Sequence, residues 1–235
     1  MIDYMGKSMK GKIIVIEGTD CSGKETQSKL LVQKLNENNI DTRVFSFPCY
    51  NTATGKIVAG PVLGKKDVSA SFFEEGQPNV DSKITSLYYA ADRKYNINEI
   101  KKLLDNGTNV VLDRYVYSNM AFQGAKFKTE KEKLDFFEWV EKLEFELLEL
   151  PRGDINIFLH MDVDSTIKLL SKREEEADDN ERNQDYLRNC EQTYFLLANK
   201  YNFKTIECTK NEQIKSIEEI NDELLSFVLE KLQNN

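Results

Sequence analysis

The chain has little of several residues that specialised chemistry needs. It holds one histidine, one tryptophan, four prolines and four cysteines in 235 residues. The lone His160 ends an apolar run and reads as structural, and no Ser-His-Asp or Cys-His relay is visible. Cys21, Cys49, Cys190 and Cys208 lie far apart, without metal-ligand spacing, which fits a reducing cytoplasm. No run approaches the ~18 apolar residues of a membrane span. Met1–Lys10 is too short and polar for a signal peptide and reads as a loose N-terminal tail. Basic charge is also in deficit: 32 Lys and Arg stand against 40 Asp and Glu, a net charge of −8. With a pI near 5.0, the chain is a poor partner for nucleic acid or an anionic membrane. Any phosphate it binds must be met by locally concentrated Arg and Lys. Repeats, low-complexity tracts and linkers are missing too, so residues 1–235 read as one domain.

What is present begins at Lys12-Ile13-Ile14-Val15-Ile16-Glu17, a β-branched run that reads as a buried parallel strand. Gly18-Thr19-Asp20-Cys21-Ser22-Gly23-Lys24 follows, with Glu25 and Thr26 behind it. A helical pattern carrying Leu30, Leu31 and Leu35 comes next. Strand, glycine-bounded loop, lysine and helix make a phosphate-binding P-loop. The glycines let backbone N–H groups turn in around an anion, and the helix N-terminus adds its dipole. Lys24 supplies a full charge at the β/γ-phosphates. The position after the lysine, where a hydroxyl would bind Mg²⁺, holds Glu25. Glu25 is either a hard oxygen ligand for the metal or a stabiliser of the first helical turn. Cys21 is either a low-pKa thiol or, more plainly, a small residue that fits the loop.

Four more strand patterns follow, at Thr42–Phe47, Asn109–Leu112, Asp154–His160 and Lys204–Cys208. Helical patterns cover Lys24–Asn38, Asp81–Leu104, Ser118–Gly124, Thr129–Leu150, a stretch from Asp164, Tyr186–Tyr201 and Gln213–Leu232. Asn51–Leu63 holds a short helix, and Lys65–Asp81 reads as loop. The alternation predicts an α/β fold: a five-stranded parallel sheet with helices on both faces. Ligands of such sheets sit at the carboxyl ends of the strands. That rule gathers the P-loop, Pro48-Cys49-Tyr50 and Asp113-Arg114-Tyr115.

Asp20, beside phosphates, is expected to face a metal or a sugar hydroxyl, or else to cap the loop's own N–H groups. Arg114 can fork onto a phosphate, with Asp113 tying to Mg²⁺-bound water or orienting the guanidinium. Tyr89 and Arg93 share a helix face at i, i+4, which suits a stacked base with a donor at its edge. Core packing with a surface ion pair is the alternative. Arg173 and Arg182 bracket the charge run Glu174–Asn183, either a solvated loop or a lid that brings arginines over a transferring phosphate.

Assembled, these pieces resemble the thymidylate kinase family. Ile16–Gln27 resembles its "EGxDxxGKxTQ", and Phe47-Pro48 with Thr54-Gly55-Lys56 its "FPxxxxxTGK". Leu87–Arg93 resembles "LLFxAxR", and Asp113–Lys126 the "DRYxxSxxAFxGAK" signature, the most specific part. Asn180–Asn183 with Tyr186-Leu187 is similar to the end of the family lid, about 173–183, and Ile217–Ile220 to its C-terminal helix. The resemblance implies a P-loop kinase that makes dTDP from dTMP with ATP and Mg²⁺, usually as a homodimer. The same fold acting on another deoxynucleotide or a deoxynucleoside, or as a weakly catalytic nucleotide sensor, is the alternative.

Carried over, the resemblance puts ATP on Gly18, Thr19, Asp20, Cys21, Ser22, Gly23, Lys24, Glu25 and Thr26. Mg²⁺ falls to Asp20, Glu25 and Asp113. Arg114 grips the dTMP phosphate beside Asp113 and Tyr115. Tyr89 stacks on thymine, with Arg93 at the base edge and Asn119 and Gln123 nearby. Phe122 crowds the 2′ position, and Phe47 and Pro48 wall the pocket. Lys24, Asp20, Arg114, Arg173 and Arg182 are the expected catalytic set. Three departures stand out: Glu25 in place of the metal-binding hydroxyl, Cys21 where some members carry an arginine, and the long segment Lys65–Val80.

Overall fold

A computed structural model describes residues 10–65, 67–170, 184–211 and 213–233. The expected tail, apart from Lys10, and the expected lid with Arg173 and Arg182 lie outside the described residues. Strand β1 (Ile13–Gly18) leads through the loop to helix α1 (Lys24–Glu37) and strand β2 (Thr42–Ser46). A short helix α2 (Ala53–Ile57) widens into a π-turn over Val58–Val62. Helix α3 (Ser82–Asp105) and strand β3 (Asn109–Asp113) follow. Next come α4 (Val116–Gly124), α5 (Glu130–Glu141), β4 (Ile155–His160) and α6 (Val163–Leu170). The described chain closes with α7 (Gln184–Lys200), β5 (Lys204–Glu207), β6 (Thr209–Lys210), β7 (Gln213–Ile214) and α8 (Ile217–Gln233).

The main sheet runs β2-β3-β1-β4-β5, parallel throughout. Strand β1 is central and every residue of it is buried. Its alternation divides two cores. Ile13 and Val15 join Val110, Leu112, Phe158, Ile97, Met120, Phe137 and Tyr194 on the face covered by α3, α4, α5 and α7. Ile14 and Ile16 join Val111, Ile157, Leu31, Leu35, Leu224 and Val228 on the face covered by α1 and α8. Among the described residues, no helix is long and apolar enough to cross a membrane.

Two helix boundaries differ from the expectation by several residues. The last helix begins at Ile217, not Gln213, because Ser216 and Glu219 exchange backbone and side-chain bonds of 2.8 and 3.1 Å in a capping box. The residues ahead of it pair as the β6–β7 hairpin. Helix α5 starts at a capping box on Thr129 and Glu132, as read, but its regular α pitch ends at Glu141. The chain continues as a π-helix over Lys142–Leu147. Segment 64–73 packs back on the π-turn, with Phe72 N–H on Pro61 O at 2.8 Å and Ser71 Oγ on the same carbonyl at 3.2 Å.

Candidate active site

Register sets the frame. Ile16 lies opposite Asp113 and Gly18 opposite Leu159, so β1, β3 and β4 end side by side. The loop after β1 needs its first glycine for close approach. A Cβ on Gly18 would stand 2.6 Å from Leu159 O and 2.6 Å from Ser22 Oγ. Gly23 needs its freedom for another reason, a φ of +76° just ahead of α1. Lys24 folds back into the loop, its Nζ donating to Thr19 O at 2.6 Å and Ser22 Oγ at 3.2 Å. Burial pushes its pKa down to about 8, with the Arg114 charge acting the same way and Asp20, Asp113 and Glu17 opposing.

Arg114 sits in the left-handed region, φ 66°, at the turn from β3 to α4. Its NH2 donates to Asp20 Oδ1 at 2.5 Å, and its NH1 to Gly18 O and Ser118 Oγ, each at 3.2 Å. The guanidinium lies 5.0 Å from the centre of the Phe122 ring. Burial opposes its charge, but Asp20, Tyr194, Asp113 and Glu17 outweigh burial and raise its pKa.

Beneath this pair lies Glu17, wholly buried. It accepts from Tyr115 N at 2.8 Å, Ser118 N at 3.0 Å, Ser118 Oγ at 2.5 Å and Tyr194 OH at 3.0 Å. It thereby caps the N-terminus of α4 from a different strand. Burial raises its pKa against those bonds and the Arg114 charge. The sequence reading gave Glu17 no role. The signal was there: a carboxylate inside a buried β-branched strand must be partnered.

The metal expectation is corrected in part. Glu25 is exposed and pairs with Lys29 at 2.5 Å, one turn along α1, so it does not face into the loop. Thr26 is exposed as well. Among the described residues, no group of three or more His, Cys, Asp or Glu is arranged to hold a metal. Asp113 is buried, takes Ser46 Oγ at 3.4 Å on one oxygen and has no partner on its buried Oδ1 among the described residues. That orphaned hard oxygen, near Lys24 and Asp20, fits a hydrated Mg²⁺ as Glu25 does not.

Beyond Arg114 a cleft opens. Of the residues read as substrate-binding, Phe47, Pro48, Tyr89, Arg93, Arg114, Tyr115, Asn119, Phe122 and Gln123 line it and Asp113 does not; Asp20, Tyr50, Leu63 and Ser118 line it in addition. Tyr115 is a wall here: its hydroxyl donates to Pro151 O at 2.8 Å and its ring leans on Phe47. Asp92 braces the Pro48–Thr54 turn, accepting from Cys49 N at 2.8 Å and Thr54 Oγ1 at 2.7 Å. The alternative of a surface ion pair for Arg93 is overturned. The residue is 3% exposed and bonds Glu144, itself fully buried, through Nε at 2.5 Å and NH2 at 2.6 Å. Asn119 and Gln123 are buried, and Asn119 Oδ1 and Gln123 Oε1 have no partner among the described residues. His160 is held between Glu191 at 2.9 Å and Glu207 at 2.6 Å, away from the cleft.

This geometry joins a glycine-bounded loop, an arginine bonded to it and a cleft lined by aromatic and buried amide side chains. A family profile described as thymidylate kinase matches residues 16–220. The chain belongs to the thymidylate kinase family. A probable thymidylate kinase of Methanocaldococcus jannaschii is 30% identical over 215 residues, covering 92% of this chain and 94% of that protein. The thymidylate kinase of Schizosaccharomyces pombe is 35% identical over 67% of this chain and 65% of its own length. The human thymidylate kinase is 31% identical over 68% of this chain and 65% of its own. The fold matches a Candida albicans thymidylate kinase structure with a TM-score of 0.73, at 24% identity, over 96% of this chain and 94% of that one. As a thymidylate kinase the chain is an enzyme, and ATP is its phosphoryl donor.

Proposed function

We propose that this thymidylate kinase binds dTMP in the cleft, its 5′-phosphate on Arg114 and its thymine against Tyr89, and phosphorylates it to dTDP. The observation that carries this reading is the cleft's lining, which sets the Arg114 guanidinium together with two buried carbonyl oxygens, Asn119 Oδ1 and Gln123 Oε1, that have no partner among the described residues. Thymine offers an N3–H donor between two carbonyls, and such a donor satisfies an orphaned acceptor.

Each protein group has a step. The β/γ-phosphates of ATP replace Thr19 O as the partner of Lys24, which restores the full charge that burial weakens. The acceptor phosphate takes over the Arg114 NH2 that Asp20 now holds and the NH1 now on Gly18 O and Ser118 Oγ. Asp20 and Asp113 are the residues that would hold Mg²⁺, which supplies charge neutralisation at the transferring group. Ser118 and Glu17 keep Arg114 and the α4 terminus in place. The two phosphates are thus held in line, and positioning with charge neutralisation is most of the catalysis. Arg173 and Arg182 keep the lid assignment on the sequence alone.

The exposed stripe Ile84, Leu87, Tyr88 and Tyr95 on α3 supports a homodimer, to be tested by light scattering. Cysteine usage supports the cytoplasm, and the acidic balance speaks against nucleic acid as partner. The function is tested by ADP release from ATP and Mg²⁺ with dTMP, dUMP and dGMP in turn. Turnover that depends on dTMP is expected. ATP binding without acceptor-dependent release would overturn the reading.

A further inference from the structure

The π-helix after α5 carries one fully buried side chain, Glu144. This is an expensive position for a carboxylate, and it contacts two polar residues that line the cleft, Arg93 and Asn119. Its Oε2 accepts from Arg93 Nε at 2.5 Å. Its Oε1 accepts from Arg93 NH2 at 2.6 Å and from Asn119 Nδ2 at 2.9 Å. All three bonds run toward Glu144, because a carboxylate in an arginine pair only accepts. That direction fixes what cannot otherwise be told apart, the setting of the Asn119 amide. With Nδ2 on Glu144, Oδ1 is the atom left without a partner, in a residue lining the cleft.

We infer that Glu144 is a specificity-positioning residue, which turns the acceptor oxygen of Asn119 and the remaining NH1 of Arg93 toward the base and so selects a pyrimidine with N3–H and a 4-carbonyl over one with a bare N3 and a 4-amine. Glu144 itself touches no substrate. Its effect passes through Arg93 and Asn119. The inference rests on the cleft holding the pyrimidine of the acceptor nucleotide.

The test compares kcat/KM for dTMP and dCMP in the wild type, Glu144→Gln, Asn119→Asp and the double variant. Glutamine at 144 brings one donor into the triad, so either an Arg93 bond is lost or the Asn119 amide turns over. The dTMP preference is expected to fall at least tenfold, mostly through KM for dTMP, with kcat within threefold. Asn119→Asp sets carboxylate against carboxylate and is expected to lose dTMP binding. The double variant has an amide donor facing a carboxylate, which can present only acceptor oxygens to the base, so it is expected to regain the preference. A purely structural role for Glu144 predicts no such rescue. An unchanged dTMP preference in Glu144→Gln, or a double variant no better than its parents, overturns the inference. If Glu144→Gln is insoluble, the double variant decides alone: a retained preference supports the inference and a lost one overturns it. A wild type without dTMP-dependent turnover would instead overturn the functional reading itself, and the two failures are distinct.

Discussion

Replacing Arg114 with alanine separates the acceptor site from the donor site. The side chain is proposed to put two N–H groups on the dTMP phosphate, and each charge-assisted bond contributes roughly 1.5–3 kcal/mol. The gross loss is then about 3–6 kcal/mol. Part of it is offset, because binding dTMP requires the Arg114 bond to Asp20 to be given up. We take about 3–4 kcal/mol as the net, which is roughly two to three orders of magnitude in kcat/KM for dTMP. The backbone adds no confounding strain, since alanine and arginine meet a φ of 66° equally badly. The assay is ADP release against dTMP concentration, beside equilibrium binding of a non-hydrolysable ATP analogue. ATP affinity should stay within about threefold. If it falls as far as turnover does, Arg114 acts by bracing the P-loop through Gly18 and Asp20, and the acceptor assignment fails. Turnover within about fivefold of wild type would mean that the phosphate is held elsewhere.

Three further outcomes follow from the same geometry. The kcat/KM for ATP should fall as pH rises through about 8, where buried Lys24 loses its proton; in Arg114→Ala that break should move up, because a like charge has been removed, and an unmoved break would refute the coupling. Glu25→Thr should keep or improve Mg²⁺-dependent turnover and cost only about 0.3–0.5 kcal/mol in a denaturant melt, the worth of an exposed i, i+4 pair; abolished turnover would make Glu25 a required ligand. Burial lowers the His160 pKa, but Glu191 and Glu207 outweigh it and raise the value above 6.5. Its stabilisation is therefore whole below about pH 6.5 and is lost as pH rises through the raised value. Wild type should lose more Tm than Glu191→Gln between pH 6 and pH 8.5, and equal losses would refute the pairing.

The sheet was legible because its signals are local. Ile13–Ile16, Val110–Leu112 and Ile155–Leu159 are apolar runs that only a strand covered on both faces explains, and α3 and α5 carry their own caps in Asp81 and Thr129. The misjudged boundaries are those that contacts or competing caps decide. Gln213 and Ile214 continue a helical period backward from α8, yet the Ser216–Glu219 box stops the helix at Ile217. Beyond Glu141 an acidic, leucine-rich stretch reads as more of the same helix. Only the need to bury Glu144 against Arg93 marks the widened turn.

The site divides along the same line. The residues proposed to meet the substrate sit in short motifs, Lys24 and Arg114 just past strand ends and Tyr89 and Asn119 on helices, and could be picked out one by one. The residues that orient them could not, because an orienting group is defined by its partner and the partner is far along the chain. Glu17 acts on Ser118, 101 residues away, and Glu144 on Arg93, 51 residues away. Each is a buried carboxylate, and each holds a group that must be still when a phosphate or a base arrives. Burying a carboxylate is costly, and the several donors around each of these two are what make its position tolerable. In this chain, then, a buried carboxylate with several donors around it marks the support of a site rather than the site itself. Glu25, acidic and beside the P-loop lysine, is the converse: it sits in the motif, faces solvent and pairs within its own helix.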